Sequence, residues 1–239
     1  MPYTTLISST GLSTHLEETD WVIVDCRFSL EDRERGRRDY QQAHIPGAVY
    51  AHLEEDLSGP LIPGKTGRHP LPEIDVLASR FSSWGIDTHV QVVAYDDGPG
   101  SMAVRLWWLL RWLGHSAVAV LDGGWAHWVA HQGSARSGLE SRRPRAFIPR
   151  PRPELAADVS DVVALLNSRD FRLVDCRAVE RYRGELEPID PVAGHIPGAI
   201  CAPYLDNLGP DGLFLPQQQL RAHFEALLGK IPPERVIFY

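Results

Sequence analysis

Cysteine is scarce in this chain. Of 239 residues only Cys26, Cys176 and Cys201 carry a thiol. They form no CxxC pair and have no metal-ligand spacing, which excludes a zinc ribbon and a paired redox dithiol. An odd count argues against a complete disulfide framework and fits a reducing cytosol. Long apolar runs are also missing. No stretch reaches the roughly 18 apolar residues of a membrane span, and the N-terminus has no charged-then-apolar leader pattern. A soluble, cytoplasmic protein without a membrane partner is therefore expected. Basic charge is in deficit: 24 Lys and Arg stand against 31 Asp and Glu, a formal net charge of −7. General nucleic-acid binding needs a basic face and is not expected. What the chain does have is an ordinary apolar share, 44%, and enough length for two modest domains with a core each.

The most informative feature is self-similarity. Trp21 to Arg27 reads WVIVDCR and Phe171 to Arg177 reads FRLVDCR. Ala43 to Ala48 reads AHIPGA and Gly194 to Ala199 reads GHIPGA. Asp25 precedes His44 by 19 residues, and Asp175 precedes His195 by 20. A third pair follows, VQVVAY (Val90 to Tyr95) and ERVIFY (Glu234 to Tyr239). Ordered blocks at matching spacing point to a duplicated domain.

Each unit reads as α/β. Val22 to Asp25, Ala48 to Leu53, Val92 to Tyr95 and Ala117 to Leu121 are short apolar runs of the kind buried parallel strands need. Glu73 to Trp84, Ser101 to Leu113 and Trp125 to His131 have helical spacing. Alternating strands and helices predict two tandem domains, each a mostly parallel sheet flanked by helices. Residues 1–135 form the first. The Arg-, Pro- and Ser-rich stretch 136–153 reads as a linker with its charge in solvent. Residues 154–239 form the second. Roughly 40 residues separate Tyr95 from that linker, and the equivalent stretch after Tyr239 is not in the chain, so the second domain is expected to be truncated.

The paired DCR and HIPGA blocks, LDGGW (Leu121 to Trp125) and RLWWLLRWLGH (Arg105 to His115) together resemble the tandem-domain rhodaneses, the thiosulfate and 3-mercaptopyruvate sulfurtransferases. HIPGA alone is less specific, because single-domain and inactive rhodanese modules carry it too. The resemblance implies an inactive first domain and a second domain with a nucleophilic cysteine at the start of the loop after its central strand. That cysteine accepts a sulfane sulfur as a persulfide and passes it to a thiophile such as cyanide or a thiol. In the first copy Asp96 follows Tyr95 at this place. In the second copy the place is the position after Tyr239, so the chain as given is expected to lack the nucleophile. Main-chain N–H groups in such a loop favour a thiolate, and covalent storage splits the transfer into two steps.

The same resemblance assigns substrate contacts. Arg181, in RYRG, matches an arginine that holds the anionic donor, and Arg183 lies close enough in sequence to assist. His69, in HPLP, matches a first-domain histidine near the cleft, with Glu55 and Asp56 close to its acidic partner position. Met102 matches an apolar cleft residue. Ile189 stands where the mercaptopyruvate enzymes carry a second arginine, so thiosulfate is the expected donor ahead of 3-mercaptopyruvate. No metal, nucleotide or organic cofactor is implied. The expected partners are a small sulfur donor and a thiophilic acceptor, and the expected state is a monomer.

Other residues read as structural. Cys26, Cys176 and Cys201 sit at strand positions and read as core thiols. His44 and His195 recur in both copies, as do Asp25-Arg27 and Asp175-Arg177, which reads as turn-fixing and local ion pairing. Gly59 to Thr66 fits G-x-x-x-x-G-K-[ST], but Pro60 and Pro63 remove two N–H donors and no helix pattern follows directly. The alternative to an enzyme is a non-catalytic rhodanese-like binding or regulatory protein. A cysteine after Tyr239 would favour the enzyme, and Asp or Ser the binding module.

Overall fold

Side chains alternate across the strand Trp21–Asp25, and all five residues are buried. Such a strand must be covered on both faces, and that requirement organises the first half of the chain. The structure is a computed structural model and describes residues 1–166 and 168–239. It divides into two units, Met1–Pro153 and Glu154–Tyr239.

Unit 1 holds five strands: β1 (Leu6–Ile7), β2 (Trp21–Asp25), β3 (Val49–Tyr50), β4 (Gln91–Tyr95) and β5 (Val118–Leu121). They pair in parallel in the order β1-β5-β4-β2-β3. On one face Val22, Val24, Val92 and Val118 pack with Leu77 and Phe81 of α3 (Ile74–Ser83) and Leu106 and Leu109 of α4 (Ala103–Trp112). On the other, Ile23, Val93 and Ala119 pack with Leu12 of α1 (Ser9–Ser13) and Trp128 of α5 (Gly124–Ala130). The helix α2 (Arg35–Gln42) buries Tyr40.

Two expectations for this unit need correction. The predicted strand Ala48 to Leu53 shortens to Val49–Tyr50. Beyond it, side chains capture the main chain: Asp56 accepts the N–H of His52 (2.7 Å), and His52 Nδ1 accepts those of Glu54 and Glu55 (3.2 Å each). Local side-chain acceptors compete with a ladder in this way. The stretch 136–153 is mostly exposed, but it belongs to unit 1 and is fastened to it at several points. Arg136 and His44 exchange main-chain hydrogen bonds at 2.8 and 2.9 Å. Arg142 Nη2 donates to the Trp21 carbonyl at 2.6 Å, and Phe147 packs edge-on to Phe81 at 5.2 Å. Long arginine stems bury along apolar surface while their heads find carbonyls. In Gly59 to Thr66, the Thr66 hydroxyl accepts the N–H of Ile62 at 3.0 Å, and the next helix starts at Ile74, so the segment is no phosphate loop.

Unit 2 holds β6 (Arg172–Asp175), β7 (Ile200–Cys201) and β8 (Val236–Phe238), parallel in the order β7-β6-β8. Its helices are α6 (Val159–Leu165), α7 (Val179–Arg183) and α8 (Gln217–Leu228). A capping box between Asp158 and Asp161 starts α6. Val174, Ala202 and Leu228 form the core, with Phe224 and Val236 against it. The α/β class with mostly parallel sheets flanked by helices is thus as the sequence pattern predicts. Among the described residues no helix is long and apolar enough to cross a membrane.

Candidate functional site

The repeated motifs converge at the C-terminal strand ends of each sheet. In unit 1, Arg27 grips Asp25 through Nε (3.0 Å) and Nη2 (2.6 Å), and Nη2 also donates to the Ala43 carbonyl at 2.7 Å. The Tyr95 hydroxyl donates to Asp25 at 2.7 Å and accepts the N–H of Ile45 at 3.2 Å. His44 stacks on Tyr40 with ring centroids 4.2 Å apart, and the Tyr40 hydroxyl donates to the Ala48 carbonyl at 2.9 Å. Unit 2 repeats this residue for residue. Arg177 grips Asp175 at 3.0 and 2.6 Å and donates to the Gly194 carbonyl. The Tyr239 hydroxyl accepts the N–H of Ile196 at 2.9 Å. His195 stacks on Tyr182 at 3.8 Å, and the Tyr182 hydroxyl donates to the Ala199 carbonyl at 2.9 Å. DCR and HIPGA are therefore two halves of one network that ties a strand end to the following turn.

Directly after Tyr95, Asp96 turns its side chain into its own loop. One carboxylate oxygen accepts the N–H groups of Gly98 and Gly100, both at 3.0 Å. The other accepts those of Met102 (2.8 Å) and Ala103 (3.1 Å), at the start of α4. Asp96 is only 3% exposed. Four inward amides plus a helix N-terminus make an anion cradle, and in this copy a fixed carboxylate fills it. The LDGGW motif shapes the opposite wall. Gly124 has φ +57°, and a Cβ there would lie 2.6 Å from the Asp96 carbonyl, which instead accepts the Trp125 N–H at 2.8 Å.

His69 lies in the same unit, half-buried, with Nε2 3.7 Å from Glu54. Burial, then the charge of Arg68, pulls its pKa below the ordinary histidine value. Its loop is held by Arg105, whose Nη2 donates to the carbonyls of His69 (3.1 Å) and Pro70 (3.0 Å) and whose Nε donates to that of Leu57 (3.1 Å). The acidic neighbour is thus Glu54, which sequence reasoning missed by one position. Glu55 pairs with Arg37 at 2.6 Å, and Asp56 pairs with Arg80 at 2.8 Å. Met102 is half-buried against the core and contributes its N–H to the cradle.

In unit 2 the two candidate arginines are not brought together. Arg181 is clamped by Glu187 (2.8 Å) and Asp190 (2.7 Å). Glu187 also accepts the N–H groups of Ile189 (3.1 Å) and Asp190 (3.0 Å) and faces Arg177 at 3.3 Å. Arg181 first, then those amides, holds the Glu187 carboxyl down at about 2. Arg183 points away, 61% exposed and 3.9 Å from Glu185.

None of the three cysteines is a ready nucleophile. Burial pushes the Cys26 thiol far up, pushes Cys176 to about 11 with help from Asp175, and raises Cys201. Thiols so raised stay protonated near neutrality. Cys26 is a buried core thiol as predicted, whereas Cys176 and Cys201 are only half-buried. One further cluster, Glu34, His52 and Glu55, has donor atoms within 4.8 Å of one another. Its histidine nitrogens are taken by the Arg33 carbonyl and two main-chain amides, and Arg37 bridges the two carboxylates. It is an ion-paired cluster.

Two α/β modules carry the same Asp-Arg-Tyr network, and in unit 1 an anion cradle filled by Asp96 follows the central strand. Residues 8–131 match the rhodanese-like domain. A relative from Pseudomonas aeruginosa, a probable 3-mercaptopyruvate sulfurtransferase, is 49% identical over 235 residues, covering 98% of this chain and 83% of its own length. A putative thiosulfate sulfurtransferase from Mycobacterium tuberculosis is 37% identical over 219 residues, 91% of this chain and 76% of its own. Among solved structures, SseA from Escherichia coli, described as a 3-mercaptopyruvate sulfotransferase with the rhodanese fold, matches with a TM-score of 0.84 at 26% identity, covering 99% of this chain and 88% of that one. The chain belongs to the rhodanese family.

These relatives overturn the expected preference for thiosulfate, since the 49%-identical relative carries the mercaptopyruvate name and the thiosulfate one is only 37% identical. The preference rested on Ile189. That residue's contribution to its loop is a main-chain N–H given to Glu187, which almost any residue supplies.

Proposed function

We propose that the protein is a sulfurtransferase that takes sulfur from 3-mercaptopyruvate, holds it as a cysteine persulfide in its second domain and passes it to a thiophile. The observation that carries this reading is the four-amide cradle around Asp96. The two networks put Tyr95 and Tyr239 in equivalent places, which supports proposing a second cradle at the position after Tyr239. A thiolate there takes the role of the fixed carboxylate, as an anion that can also attack. The names of the relatives support the reaction class and the donor.

The proposed chemistry balances in two displacements. The thiolate attacks the donor sulfur, and the carbon–sulfur bond breaks with its electron pair moving to the pyruvate enolate, which takes a proton to become pyruvate. The acceptor nucleophile then attacks the outer persulfide sulfur and returns the thiolate. Arg181 is the proposed anchor for the donor carboxylate, because a guanidinium offers a planar fork of donors. The donor would exchange with Asp190, which is 38% exposed against 5% for Glu187. Arg183 adds long-range attraction. On unit 1, His69 with Glu54 is the proposed proton-handling pair, with Met102 as an apolar contact.

The test is steady-state kinetics with 3-mercaptopyruvate and cyanide, read as thiocyanate. Arg181→Ala is expected to raise the donor KM by about tenfold or more, the loss of one charge-assisted contact, with a smaller change in kcat. An unchanged KM would remove Arg181 from donor binding. His69→Asn is expected to lower kcat and leave the KM near its starting value.

A further inference from the structure

At the end of the first sheet where the strands begin, away from Asp96, a cavity of about 430 Å³ is lined by Thr19, Gly85, Ser141, Arg142, Arg143 and Arg145. Thr19 precedes β2, and Gly85 follows α3. The three arginines come from the stretch that folds back onto this unit. Arg145 pairs with Asp87 at 3.2 Å and donates to the Thr19 carbonyl at 3.1 Å. Arg142 spends Nη2 on the Trp21 and Thr19 carbonyls, at 2.6 and 3.4 Å. Burial and the neighbouring charge of Arg145 both pull the Arg142 pKa down. The guanidinium of Arg143 is exposed and has no ion pair or hydrogen bond among the described residues. The next acid, Glu140, is turned to the Gly47 amide and Arg136, both at 3.4 Å.

Three arginines thus line one cavity, and one of them, Arg145, is paired with a carboxylate, Asp87, that does not itself line it. Like charges are brought together at a cost that an anion would offset. Gly85 keeps the wall thin: it has φ +78°, and a Cβ there would lie 2.9 Å from the Arg143 carbonyl.

We propose that this cavity is a second binding site, for a tetrahedral oxoanion, a phosphoryl or sulfuryl group, taken up by Arg142, Arg143 and Arg145 with the hydroxyls of Thr19 and Ser141. Guanidinium forks match such oxygens in charge and geometry. The volume exceeds that of a bare ion and leaves space for an organic body on one oxygen. The site is separate from the sulfur chemistry proposed above and does not depend on it.

The experiment is calorimetric titration of the protein with inorganic phosphate, sulfate and ribose 5-phosphate, at one ionic strength set with chloride, because exposed charge pairs are salt-screened. The wild type is expected to bind at least one of these saturably. Arg143→Glu is expected to weaken that binding by about tenfold or more without lowering the melting temperature of the unliganded protein, since this guanidinium holds nothing in the fold and its removal relieves like-charge repulsion. Tighter binding of ribose 5-phosphate would identify a phosphate ester as the ligand, and equal or weaker binding a free oxoanion. The proposal is overturned if no probe gives a saturable heat, or if Arg143→Glu binds as tightly as the wild type.

Discussion

The Asp-Arg-Tyr network occurs twice, with nearly the same bond lengths in two electrostatic settings. In unit 1 both Asp25 and Arg27 are buried, 0% and 3% exposed. Burial there outweighs the hydrogen bonds from Arg27 and Tyr95, and the Asp25 pKa is raised. In unit 2 Arg177 is 21% exposed and has Glu187 as a second acid. Burial still pushes Asp175 up, but the hydrogen bonds from Arg177 win and the net pKa is lowered. The acid is 0% exposed in both copies, and the difference lies in the arginine, 3% exposed in unit 1 and 21% in unit 2. Bond geometry alone does not give the sign of the shift; the surrounding burial does.

The two copies can be separated by substitution. Asp25→Ala leaves Arg27 buried without an acid, and a loss of about 3–5 kcal/mol is expected, read by denaturant melting. Asp175→Ala leaves Arg177 with solvent and Glu187, and should cost less, about 1.5–3 kcal/mol. Equal losses would erase the distinction. Asp96→Ala removes the acceptor of four amides, two buried and two part-buried. A loss of about 1–3 kcal/mol is expected, with sulfur transfer unchanged in the material that remains folded.

The smallest expected effect is on pH dependence. Asp175 has a folded pKa below its ordinary 3.8, and Glu187 falls from 4.5 to about 2. Each contributes stability above its unfolded pKa and loses it as pH falls through the folded one. Asp25, raised above 3.8, has the opposite sign: the stability it withholds grows as pH rises through that range. Hydrogen exchange on β6 should therefore quicken relative to β2 as pH drops from 4.5 toward 2, and Glu187→Gln should flatten the difference. Equal acid responses in β2 and β6 would contradict the assignment of the two settings.

Much of this was legible in the sequence because the repeated residues are the ones that make the network. Asp25, Arg27, His44 and Tyr95 recur as Asp175, Arg177, His195 and Tyr239, and the strands between them are short apolar runs. The helix α2 left no such trace. It reads RGRRDYQQ and buries only Gly36 and Tyr40, too little for an apolar period. The strand β3 was overestimated because His52 and Asp56 take up main-chain groups that a ladder would use. The stretch 136–153 looked like a linker because arginine and proline dominate it, yet beside the single buried Phe147 many of its contacts are arginine-to-carbonyl bonds, which no apolar pattern reveals. Glu54 was missed because the turn after β3 decides which of three adjacent acids faces His69. The carboxylates that clamp Arg181 lie six and nine residues downstream and became partners only through the turn that Glu187 itself organises.

The central claim is that sulfur is carried on a thiol in the proposed second amide cradle and on none of the three cysteines described. Peptide mass spectrometry after brief exposure of the purified protein to 3-mercaptopyruvate, with thiols then blocked, tests it directly. The account predicts one added sulfur on the peptide that contains Tyr239, at the position following it, and unmodified Cys26, Cys176 and Cys201. Sulfur on any of those three, or a residue other than cysteine after Tyr239, would contradict it.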